Sequence, residues 1–292
     1  MKKIPETVRP FEKDRTWFVE YKNKIYDLNN LPNNFVFEAN LDLSGLDLRE
    51  LPDLSRVVVL GDFDCSDNEL LSLQGAPHLF VGGSFNCSAN LLDSLSGEPK
   101  YVCGNFDCSE NMLQNLRGAP QKIQGSFLCC FNELQSLKGA PKIVGQTFHC
   151  GINNLWTLNY APKFVGGDFV CFTNNLISLQ GAPERVGGSF DCSENNLENL
   201  KFAPRCVGGY FDCSFNDLMN LQNAPKRLGG ALICDGNNFT KNAVAPRYVS
   251  EYKYIQGIDN KILDAMLQNQ TKKTIKDMMA FLENVQRKFK QR

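Results

Sequence analysis

The chain lacks any uninterrupted apolar stretch of the roughly 18 residues that a membrane-spanning helix needs, so no part of it is expected to cross a bilayer. It also lacks a basic excess. Lys and Arg number 31 against 32 Asp and Glu, a formal net charge of −1, which removes the whole-chain cationic footprint of many nucleic-acid binders. Histidine is nearly absent, with His78 and His149 alone, and there is no C-x-x-C, which leaves little from which to build a zinc site. Behind Met1-Lys2-Lys3-Ile4-Pro5-Glu6 no apolar segment of the secretory type follows. What is present is a 42% apolar content at low net charge, a balance that argues against disorder. Length alone, 292 residues, suggests two domains at about 150 residues each. Twelve cysteines require a separate explanation.

Spacing supplies it for nine of them. Cys65, Cys87, Cys108, Cys129, Cys150, Cys171, Cys192, Cys213 and Cys234 recur after one step of 22 and seven of 21 residues. Two positions before each stands a phenylalanine, from Phe63 to Phe211, with Leu232 closing the series. Three positions after each stands an asparagine, from Asn68 to Asn237, and nine of the thirteen prolines, from Pro77 to Pro246, keep the same beat. A fixed period in this range marks a solenoid, in which each unit buries its apolar edge only against its neighbours. One repeat array therefore replaces the two-domain expectation.

The unit reads G-x-F-x-C-x-x-N-x-L-x-x-L-x-x-A-P-x-x-V-G. Phe and Cys alternate with polar residues, so both point to one side of a short strand. The asparagine turns the chain, and its amide can satisfy backbone groups that have left the ladder. Two leucines, such as Leu176 and Leu179, fill the interior on the way back. Ala-Pro makes the far turn and is expected to stop further strand pairing, and the glycines allow re-entry.

The segment F-x-C-x-x-N-x-L resembles the L-x-L-x-x-N-x-L of leucine-rich repeats, with Phe and Cys in two leucine positions. The short period, and the proline nine residues after the asparagine, look like the bacterial subtype found in secreted effectors of pathogens. The resemblance covers roughly residues 41–249. It departs from the family where glycine replaces the first leucine, at Gln146 in a glycine position, and at Asn242 in place of the second return leucine. It implies an α/β-type repeat solenoid with one parallel β-sheet on the concave face, short strands and mostly irregular return segments. It also implies a surface for a protein partner. Effectors of this kind sometimes carry a ubiquitin-ligase domain, for which the residues after Pro246 are too few.

Both ends are atypical, as solenoid caps are. Residues 1–40 form an N-terminal capping segment, in which Trp17-Phe18-Val19-Glu20-Tyr21 and Lys24-Ile25-Tyr26-Asp27-Leu28 flank a polar turn and read as a hairpin. Residues 41–60 read as a degenerate repeat, residues 61–249 as nine regular ones, and residues 250–292 as a C-terminal helical cap with a basic tail. Helices are expected at 259–268 and about 272–290. Ile275, Met278, Leu282, Val285 and Phe289 share one face of the longer one.

The ladder cysteines are expected to pack as small hydrophobes. Parallel stacking would bring their Cα atoms to about 4.8 Å, within disulfide range. Nine is an odd number, however, and no export signal is read, so a reducing cytoplasm, of the producing or a host cell, fits better. Neither a metal nor a cofactor is expected.

The positions between and after Phe and Cys should line the concave sheet. Outer repeats carry Asp-x-Ser-Asp/Glu, as in Asp107-Cys108-Ser109-Glu110, and related acids recur at Asp191, Glu194 and Asp212. In three central repeats Leu128, Cys130, Phe131, Ile152, Val170 and Phe172 stand there instead, with His149 and Thr173 among them and Phe215 further along. An apolar centre with a polar rim has the anatomy of a protein interface, although large residues could also simply cover a local gap. The leading expectation is a non-enzymatic scaffold for a basic-rimmed protein that inserts an apolar plug.

Two alternatives stand beside it. Residues 271–292 hold seven Lys and Arg against Asp277 and Glu283, a local +5 that leaves the remainder at −6. Such a tail could link copies through the acidic concavity. Nucleic-acid binding is disfavoured, because an acidic face repels phosphate. A Cys130–His149 enzyme is the remote alternative: the two are diagonal neighbours, about 7–8 Å apart at Cα, where a nucleophilic pair needs hydrogen-bond reach.

Overall fold

Short strands that alternate an inward Phe with an outward residue stack into one long parallel sheet of twelve strands. The computed structural model describes residues 6–78, 80–240, 243, 254–256 and 268. The sheet starts at Thr7–Val8, passes through Asn40–Asp42 and the nine repeat strands from Phe63–Asp64 to Ala231–Ile233, and ends at Tyr254–Gln256. Register is strict, with Phe85 opposite Phe106 and Phe106 opposite Phe127. Phe63 to Phe211 consequently form a column of parallel-stacked rings with centroids 5.1–5.8 Å apart. Leu41 and Leu232 hold the flanking positions in that register. The nine ladder cysteines, the two return leucines and the Phe column are buried in a single core.

The return segments correct the expected class. A second parallel sheet of six strands, from Lys122–Ile123 to Arg227–Leu228, runs along the other side of the core. A three-stranded sheet, Val36–Phe37, Val58–Val59 and Phe80–Val81, continues its course through the bridge Val81–Val102. The fold is thus a β-solenoid with parallel sheets on both sides, not an α/β solenoid with one. Proline does not end strand pairing here, since the second strand begins two residues after Pro120. Nor is there room for a helix. Only residues 117–121 separate the buried Leu116 from that strand, and they contain both Pro120 and Gly118 at φ 96°, each of which breaks a helix.

The corner glycines have a reason other than backbone angle. A Cβ on Gly187, Gly208 or Gly229 would run into the carbonyl oxygen of the equivalent residue one repeat earlier, Gly166, Gly187 and Gly208. At these three positions the neighbouring backbones approach too closely for a side chain, whereas Leu60, Cys103 and Gln124 stand in the same column nearer the N-terminus.

At the N-terminal end Thr16–Tyr21 pairs antiparallel with Lys24–Asp27 across a two-residue turn at Lys22 and Asn23, both with φ near +50–60°, the twist that joins hairpin strands best. A further strand, Pro10–Lys13, adds to its other edge, and Val19, Tyr21, Leu28 and Phe37 cover the end of the core. The C-terminal end also differs from expectation. The sheet is extended by strand Tyr254–Gln256, paired parallel to Ala231–Ile233, where a helical cap was expected. The helical positions expected at 259–267 and 272–290 lie outside the described residues.

Candidate functional site

Two polar ladders hold the long sheet in place and decide which side chains are left over for function. In each repeat the asparagine bonds to the backbone of its own coil and of the coil before it. Asn153 Nδ2 donates to the carbonyls of Cys129 (3.0 Å), Cys150 (3.2 Å) and Gly151 (3.1 Å). Its Oδ1 accepts the N–H of Leu134 at 2.9 Å. The cysteines add a second ladder: Cys108 and Cys129 donate their thiol hydrogens to the carbonyls of Leu128 and His149, each at 3.3 Å. Burial pushes the ladder thiols well above the ordinary cysteine range, so they stay protonated, and none of the twelve cysteines is in a disulfide.

The outward face then divides into three rows. Register sets Asp107, Leu128, His149, Val170, Asp191 and Asp212 side by side. Beside that row stand Ser109, Cys130, Gly151, Phe172 and Ser193. A third row, Glu110, Phe131, Ile152, Thr173, Glu194 and Phe215, occupies the left-handed region at φ 49–55°. None of the predicted site residues is buried, and Phe131 and Phe215 are 52% and 60% exposed. The structure therefore brings Leu128, Cys130, Phe131, His149, Ile152, Val170, Phe172 and Thr173 together on three adjacent coils. Asp107 and Glu110 lie on one side, and Asp191, Glu194 and Asp212 on the other. Phe215 stands apart, two coils beyond Thr173.

The acids of the outer repeats have a local task that the sequence pattern did not reveal. Asp191 Oδ1 accepts both the N–H (3.0 Å) and the hydroxyl (2.7 Å) of Ser193, and Asp212 does the same for Ser214. This is an Asx-type turn, so Asp-x-Ser pins the strand end while leaving its second carboxylate oxygen outward. Burial, helped by Asp212 and Glu194, raises the Asp191 pKa above the usual carboxylate value. In the three central repeats the pair is dispensed with altogether.

There the packing is between side chains. The His149 ring lies 5.6 Å from that of Phe172. A Cβ added to Gly151 would stand 3.2 Å from the Phe172 ring, so the glycine makes space for that ring to lie back across its neighbouring coil. Cys130 gives its hydrogen bond to Ser109 Oγ at 3.2 Å, not to His149. Burial raises the Cys130 pKa and lowers that of His149. A protonated thiol beside a neutral imidazole is the reverse of an activated nucleophile. Among the described residues no cluster of His, Cys, Asp and Glu could hold a metal ion, and no helix is long and apolar enough to cross a membrane. The basic residues 271–292 lie outside the described residues.

Two sets of exposed residues escaped the sequence reading. Trp156 and Ile177, each more than half exposed, stand beyond the asparagines of the central coils. A column of Lys and Arg covers the outside of the second sheet, where tabulating the residues before each valine would have exposed it.

No protein-family model matches the chain, and no curated protein does. Among solved structures, YopM from Yersinia enterocolitica WA-314 is similar at 19% sequence identity and a TM-score of 0.27. That match covers 70% of this chain and 63% of YopM, so the chain spans less than two thirds of that protein's length.

Proposed function

We propose that the protein is a non-enzymatic binding scaffold whose long-sheet face receives a protein with an apolar plug and a basic rim. One observation carries the reading. Three consecutive coils exchange the Asp-x-Ser pair, which stabilises the strand end, for apolar side chains that remain accessible to solvent. Phe131 and Ile152 moreover occupy left-handed backbone positions that disfavour bulky and β-branched residues. A sequence selected for folding alone has no use for either feature. The acids at both ends of the patch supply orientation and rate of encounter for a cationic rim. Twelve cysteines without a disulfide suit a reducing compartment, and the cytoplasm is the proposed location. The short period keeps the bacterial effector-like subtype as the proposed setting.

The test begins with affinity capture from the source cell and continues with titration of the purified partner. Phe131→Ser with Phe172→Ser should weaken binding by about 100-fold or more, as the loss of two central aromatic anchors does, while the chain stays folded. Binding unchanged by that pair, or folding lost with it, would remove the patch as the binding site.

A further inference from the structure

The outer face of the second sheet is the electrostatic opposite of the long-sheet face. Lys122, Lys142, Lys163, Arg185, Arg205 and Arg227 are all exposed there, and none forms an ion pair among the described residues. Glu184 is the one acid in the same two columns between residues 121 and 227. Between the cations lie two exposed apolar side chains on adjacent strands, Ile143 at 43% and Phe164 at 54%. A basic rim around an apolar projection is the chemistry that the acid-rimmed patch calls for.

The two faces also agree in order and in step. Along the second sheet the outward row reads Lys122, Ile143, Phe164, Arg185, Cys206 and Arg227, with Arg205 beside Cys206. Coil for coil, the long sheet presents Asp107, Leu128, His149, Val170, Asp191 and Asp212. Acid faces base in the first, fifth and sixth coils, and apolar or neutral groups face Ile143 and Phe164 in the second and third. Only Val170 opposite Arg185 departs from the pattern. Both rows belong to the same coils, so they share one rise per repeat and cannot drift out of step over the length of the contact.

We propose that the second-sheet face of one copy docks on the long-sheet face of another, coil against coil, with Ile143 and Phe164 as the plug. The proposal rests on reading the acid-rimmed patch as an interface. Because the two surfaces differ, the contact is heterologous and leaves a free face at each end, so copies can add without closing. Exposed charge pairs are screened by salt, which makes the stack salt-sensitive.

Sedimentation of the full chain at rising concentration, in low and high salt, is the test. The expected result is a mass that grows with concentration in low salt and falls towards the monomer in high salt. A back-face variant, Lys122→Glu with Phe164→Glu and Arg205→Glu, and a front-face variant, Phe131→Ser with Phe172→Ser, should each be monomeric. Mixed together they should form a one-to-one dimer and nothing larger, since one intact front then meets one intact back. A monomeric wild type overturns the proposal, as does a mixture that stays monomeric. Assembly by the back-face variant, which keeps the basic residues 271–292, would assign the contact to that tail and leave the patch standing. Assembly by the front-face variant alone would instead remove the patch. Retardation of an oligonucleotide by a wild type that stays monomeric would make the basic face a polyanion site and sink the self-docking model.

Discussion

Replacing Asn153 by alanine removes four hydrogen bonds from the middle of the solenoid at once. Asn153 is 8% exposed, so water does not take over its partners. The Leu134 N–H loses its acceptor, and the Cys129 carbonyl loses its 3.0 Å donor from the next coil. The Cys150 and Gly151 carbonyls lose longer bonds. A buried polar group left unsatisfied costs about 1–3 kcal/mol. Leu134 N–H is left without an acceptor and Cys129 C=O keeps only the 3.4 Å bond from Asn132 Nδ2, which together gives about 2–3 kcal/mol, a large share of the total stability of a typical domain. Asn153→Asp is expected to cost at least as much, since it keeps the acceptor for Leu134 but turns a carboxylate towards three carbonyl oxygens.

Urea unfolding followed by circular dichroism measures this directly, with the exposed Asn154→Ala as control. Asn154 offers the next coil only its backbone N–H, bonded to Leu134 O at 3.0 Å, so its side chain should matter by no more than about 0.5 kcal/mol. An Asn153→Ala loss as small as that of Asn154→Ala would refute the idea that the asparagine ladder carries the turns. Coils contact only their neighbours, so the variant should also raise hydrogen exchange first around residues 129–155.

Two further perturbations probe the corners and the rim. Gly208→Ala sets a methyl against the Gly187 carbonyl, where only backbone can yield, and should cost about 2–3 kcal/mol by the same unfolding measurement; a neutral effect would show that the coils are free to separate. Asp191→Asn keeps an oxygen for Ser193, as Asn86 already does for Ser88 at 2.8 and 3.1 Å, and removes a charge disfavoured by burial. Because the folded-state pKa of Asp191 is raised, the folded chain holds that proton more tightly than the unfolded one. Wild-type stability therefore declines as pH climbs from the ordinary carboxylate range through the raised value. The variant should gain over wild type above that range and lose its advantage in acid, whereas a difference independent of pH would show that the carboxylate is solvated after all.

The solenoid was legible because every coil repeats the same demand. Nine phenylalanines or leucines two positions before a cysteine admit one register, and the structure puts them in one column. The lack of helix in the coils was not legible, because the leucine-rich-repeat resemblance carried an α/β expectation that a 21-residue coil has no chain to fulfil. The second sheet was missed for a related reason. Its strands are two residues long, as at Ile143–Val144, too short for alternation to register within one repeat and visible only when equivalent positions are compared across repeats.

The acidic pattern, too, takes its meaning from equivalent positions in successive coils. Read along the chain, Asp-x-Ser-Asp/Glu looks like a binding motif, yet the Asp is partly engaged with its own serine, and the pattern therefore speaks first for strand ends. The coils that abandon it are the informative ones. Leu128, His149 and Val170 give up a local pair of hydrogen bonds, and Gly151 gives up its side chain so that the Phe172 ring has a place to lie. Such a set of mutually adjusted departures, confined to three neighbouring coils, is hard to obtain by neutral drift at single positions. It is what a surface shaped against another surface would leave in the sequence, and among the described residues the Ile143 and Phe164 pair on the opposite sheet has the matching form.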